Sequence, residues 1–107
     1  MSRGHGKIER YIIETVNRRQ ELTALIVMAK QYAGERPTPH LRSSFRRAAA
    51  KLVDSGEIVG WEIFAPTREY ANGEFGSWRW VLCVGPAGME EVSEKDEEAA
   101  RLGMALL

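Results

Sequence analysis

The sequence predicts one α+β domain in which three helices precede a two-stranded β-hairpin and a fourth helix closes the chain. Three observations carry this expectation. Apolar residues recur at helical spacing through the first half, the pattern turns to alternation after Gly56, and strong helix-start signals stand at Thr38-Pro39 and Ser93. A chain of 107 residues with 44% apolar content suits a single core.

The first helix spans Lys7 to about Arg19, where Ile8, Tyr11, Ile12 and Val16 form one apolar stripe. A polar break follows at residues 17–21. The second helix runs from Leu22 to Ala33 with Thr23 as its expected N-cap, repeats Leu25, Ile26, Ala29 and Ala33, and stops at Gly34. Thr38 caps the third helix and Pro39 opens it, since proline needs no donor at the first helical position. That helix ends at Ser55 and Gly56, and its stripe of Leu41, Phe45, Ala48 and Leu52 faces a core. Ser43 and Ala50 then point away from the core, flanked by His40 and Arg47 on one side and Arg46 on the other.

Glu57 to Pro66 and Ser77 to Gly85 are rich in β-branched and aromatic residues, with Asn72-Gly73 between them as the turn. A two-residue turn there pairs Trp61 with Val84, Ile63 with Leu82, Ala65 with Trp80 and Thr67 with Trp78. All three tryptophans then share one face, which reads as core. The second face carries an apolar patch of Phe64 opposite Val81 and Tyr70 opposite Phe75. Ser93 caps a closing helix to about Leu106, with acids in its first turns and Ala99, Leu102 and Leu106 as a narrow apolar stripe. That stripe is expected to dock on the patch or to pair with a second subunit. The organisation is thus a flexible basic arm (1–6), a main domain (7–88) and an acidic helical tail (89–107).

The zero net charge conceals a division. Residues 1–51 hold eleven Lys and Arg against four Glu, whereas residues 52–107 hold four against eleven acids. A polyanion can therefore bind the first half of a neutral protein, because salt screens the distant acids beyond about 10 Å. Cys83 has no cysteine partner, and it reads as a small strand residue. Two scattered histidines cannot build a metal cluster with it. No phosphate-binding loop, nucleophile elbow, zinc motif or cleft-forming carboxylate pair occurs, so an enzyme is not expected, nor is a cofactor. A soluble, cytoplasmic protein is expected: the N-terminal residues are polar and no apolar run spans a bilayer.

The stretch from Thr38 to Val59, with its basic helix and the Leu52-x-x-x-Gly56-x-Ile58 stop into a strand, resembles the recognition helix of compact prokaryotic winged helix-turn-helix regulators. The similarity of pattern extends from about Gly6 to Gly85. It implies sequence-specific binding of double-stranded DNA, with the third helix in the major groove and the hairpin against the flanking backbone. Arg46 and Arg47 would then contact guanine or phosphate, and Ser43 and His40 base edges or phosphate oxygens. Arg42 and Lys51 would hold flanking phosphates, Arg68 and Arg79 would serve the wing, and Arg3 and Lys7 the arm. Glu69 and Glu74 beside the turn depart from a strongly basic wing. The family also implies a homodimer, through the first helix or the tail, and a role in transcription regulation. An adaptor that binds protein through its acidic half, or a plasmid or phage replication or partition protein, is the alternative.

Overall fold

A computed structural model describes residues 5–67 and 77–107. Its elements are α1 (Lys7–Arg19), β1 (Thr23–Ala24), α2 (Leu25–Ala33), α3 (Pro39–Asp54), β2 (Ile58–Thr67), β3 (Ser77–Pro86) and α4 (Glu94–Ala105). The strands form one antiparallel sheet in the order β1-β3-β2. The fold is α+β, as expected, with four helices and three described strands.

Local chemistry sets the boundaries. Thr38 Oγ1 accepts from the Leu41 amide at 3.1 Å, and Pro39 follows it into α3. Gly34 and Gly56 close α2 and the α3–β2 turn with φ of 76° and 79°, a region other residues enter at a cost. Ser93 and Asp96 form a reciprocal capping box at α4, and the exchange holds the Asp96 carboxyl below its usual range.

Two cores lie on opposite faces of the sheet. On one, Ile12, Val16, Met28, Phe45, Leu52, Ile58 and Val84 join α1, α2 and α3 to the strands. Tyr11, Tyr32 and Phe45 meet edge to face there, with centroids 5.0, 5.5 and 6.2 Å apart. Gly60 lets α3 come close, for a Cβ there would lie 3.3 Å from Val53 Cγ2. On the other face Ala100 and Met104 of α4 pack over Ile63, Ala65 and Cys83. Burial pushes the Cys83 thiol up to about 12, so it stays a protonated packing residue.

Four sequence expectations are corrected. Thr23 does not cap α2: Ala24 holds that position, while Thr23 is a strand residue opposite Val84 with its hydroxyl buried and unpaired. The hairpin register differs by one residue, so Trp61 faces Cys83, Ile63 faces Val81 and Phe64 faces Trp80. A one-residue slip exchanges faces for a whole strand. The expected register gathered all three tryptophans into one core, whereas this sheet serves two. Trp78 and Trp80 consequently leave the core, and Val81 moves to the α4 side, away from Phe64. Finally, α4 buries Ala100 and Met104, one turn apart against Ile63, Ala65 and Cys83, and leaves Leu102 and Leu106 61% and 73% exposed. The expected turn at Asn72-Gly73, with Tyr70 and Phe75, lies outside the described residues.

Phe45→Ala is expected to cost about 3–5 kcal/mol through cavity formation, measured by denaturant unfolding. Thr23→Val, which removes an unpaired buried hydroxyl without changing shape, should instead stabilise the protein by about 1 kcal/mol.

Candidate nucleic-acid interface

Burial of Phe45, Ala48, Ala49 and Leu52 fixes the rotation of α3, and the opposite side carries the exposed His40, Arg46, Arg47, Ala50 and Lys51. Two serines one turn back steady the arginines. Arg46 Nη2 donates to Ser43 Oγ at 3.0 Å, and Arg47 Nη2 donates to Ser44 Oγ at 3.2 Å. Each guanidinium keeps most of its five donors for another partner. Arg42 is half-buried on the flank toward α2 and β3, where it and Arg46 border an apolar groove with Phe45 and Leu82.

The other flank meets the start of α1. Lys7, Ser44, Arg47 and Lys51 line one shallow depression together with Glu9, so the structure gathers three of the expected cations. It also brings in acids from outside a helix that has none before Asp54. Glu9 lies 3.7 Å from Lys51, and His5 bridges Glu9 at 3.2 Å and Glu57 at 2.6 Å. Hydrogen bonds to Glu9 and Glu57 raise the His5 pKa above 6.5, while Ser55 and His5 hold the Glu57 carboxyl down. The described end of the arm is therefore tied to the turn after α3.

Arg79 is exposed, but the strand alternation puts it with Val81 and Cys83 on the α4 side of the sheet and apart from the α3 cations. Arg3 and Arg68 lie outside the described residues. The aromatic cluster on the α3 side was not expected. Phe64, Trp78 and Trp80 are 41%, 52% and 66% exposed, with Phe64 5.7 Å and 5.4 Å from the two tryptophan rings. Only the correct register could have revealed it, since neighbouring tryptophans at 78 and 80 share a face in any strand. Among the described residues no cluster of His, Cys, Asp and Glu suits a metal ion, and no helix is long and apolar enough to cross a membrane.

No protein-family model matches the sequence, and comparison with curated proteins and with solved structures finds no match.

The His5 bridge gives a pH-dependent outcome. A raised folded-state pKa contributes stability that is full below 6.5 and is lost as pH rises through the raised value. A depressed Glu57 contributes stability that is full above 4.5 and is lost on acidification through its lowered value. In an NMR titration the His5 ring should therefore titrate above 6.5, and Glu57→Gln should bring its midpoint down; an unchanged midpoint would remove the bridge.

Proposed function

We propose that this chain binds double-stranded DNA as a winged helix-turn-helix module and acts in transcription regulation. In this reading α3 enters the major groove and the β2–β3 hairpin flanks it as the wing. The outward side of α3 carries the proposal: Arg46 and Arg47 project there on serine-supported side chains, beside the small Ala50 that permits close approach. Lys7 and Lys51 extend the cationic surface along one flank, although Glu9 draws on Lys51. Arg42 and Arg46 extend it along the other. Ser43 and His40 sit near the helix N-terminus, where base edges and phosphates are both within the reach of polar side chains.

A homodimer would supply two such helices to a palindromic site. Leu102 on α4 and Leu106 at its C-cap, one turn apart and exposed, provide an apolar contact for it.

One observation favours a second reading, a protein-binding adaptor. Three exposed aromatic rings in contact form a surface of the composition that protein interfaces favour. In the DNA reading the same rings would pack against sugar and backbone beside the groove occupied by α3.

Anisotropy of a labelled random-sequence duplex, followed from about 50 to 200 mM salt, separates the two readings, because phosphate neutralisation releases counterions. Duplex binding that weakens steeply with salt is expected. Arg46→Ala and Arg47→Ala should each weaken it about tenfold and reduce the log–log salt slope by about 0.9 per lost phosphate contact, with melting temperature unchanged. No binding at about 50 mM salt would rule out the DNA reading and leave the aromatic surface as the interaction site.

A further inference from the structure

Between one side of α2, the connection into α3, the first turn of α3 and the end of α4 lies a cavity of about 200 Å³. Its apolar walls are Ile26, Pro37 and Met104, with Leu107 at the rim, and its charged lining is Lys30, Arg36 and Arg42. Pro37 and Met104 are buried, Lys30 and Arg42 are half-buried, and Arg36 is exposed at the mouth. Among the described residues no ion pair or side-chain hydrogen bond joins any of these three cations to a partner, whereas Lys51 and Arg101 both face carboxylates. Three like charges thus border an apolar pocket whose lining holds no acidic side chain. The half-buried, like-charged Lys30 and Arg42 gain most from an anion placed beside them, with Arg36 within its reach.

We propose that this cavity binds a small organic acid, a compact apolar body bearing one carboxylate. The apolar walls would take the body, and Lys30, Arg36 and Arg42 would take the carboxylate, with the arginines able to offer paired donors. Size limits the class. About 200 Å³ holds roughly seven waters at about 30 Å³ each, which suits an acid of about nine non-hydrogen atoms whose head group sits at the rim. A bare inorganic anion would leave the apolar walls unused, and a neutral isostere would leave the cations unpaired. Because Arg42 stands on α3 and Met104 on α4, the bound acid would join two elements that lie on opposite faces of the sheet. Of its three cations only Arg42 also borders the flank read as DNA-binding, whereas Lys30 and Arg36 do not line that flank.

The test uses the full ¹⁵N-labelled chain, titrated in the absence of DNA with benzoate, benzamide and inorganic phosphate. Benzoate should give saturable shifts centred on the Ile26, Lys30 and Met104 amides. Benzamide should bind at least about tenfold more weakly, since it lacks the charge, and phosphate should not saturate the same amides over the same range. The Lys30→Gln/Arg36→Gln double variant, altered only at solvent-accessible side chains, should lose about tenfold in benzoate affinity with an unchanged melting temperature. Equal binding of benzoate and benzamide, saturation of these amides by phosphate at matching concentrations, benzoate shifts centred elsewhere, or undiminished benzoate binding by the double variant would each overturn the proposal.

Discussion

The contact on which the remainder of the molecule depends is the burial of Phe45 between Tyr11 and Tyr32. One ring from each of three helices meets there, edge to face, and with Leu52 it fixes how far α3 is turned about its own axis. A helix turns about 100° per residue, so a shift of one position would swing Arg46 or Arg47 toward apolar surroundings and lift Phe45 into water. The energetic penalties for both errors have the same sign. The outward display of cations is thus a consequence of apolar packing, and no polar contact is needed to hold α3 in that orientation.

The sheet transmits this arrangement to the C-terminal half. Strand β3 is bonded on both sides, to β1 through Thr23 and Ala24 and to β2 along its length, and successive residues enter different cores. Val84 belongs with Phe45 and Leu52, while Cys83 belongs with Ala100 and Met104. Neither core can be loosened without disturbing a strand shared with the other. The same alternation explains why Trp80 is exposed although its neighbour Val81 is half-buried.

Much of this was legible in the sequence where a signal is local. The 3.6-residue period located α1, and Thr38, Pro39 and Gly56 bracketed α3, because capping and periodicity act within a few residues. The face of α3 followed directly. What was not legible depends on partners distant in the chain. β1 is two residues long and exists only by pairing with β3, so no pattern announces it. The hairpin register rests on which residues two separate cores demand, and an Asn-Gly dipeptide cannot report that. The buried side of α4 was misassigned because Ala99/Leu102/Leu106 and Ala100/Met104 are competing weak stripes, and hydrophobicity alone favours the longer one. The Glu9–Lys51 contact and the cavity beside Arg42 likewise need the fold, since their residues come from separate helices.

Placing α3 and α4 on opposite faces of one sheet has an electrostatic consequence. The α3 cations Arg46, Arg47 and Lys51 and the α4 carboxylates of Glu94, Glu97 and Glu98 belong to helices on opposite faces of the strands, so a molecule without net charge carries unlike charge on its two sides. In the field of a polyanion such a body experiences little net pull at long range but a strong torque at short range. It would turn its α3 side toward the anion before contact. Neutrality here limits how far the attraction extends, while the internal polarity selects the face that arrives first.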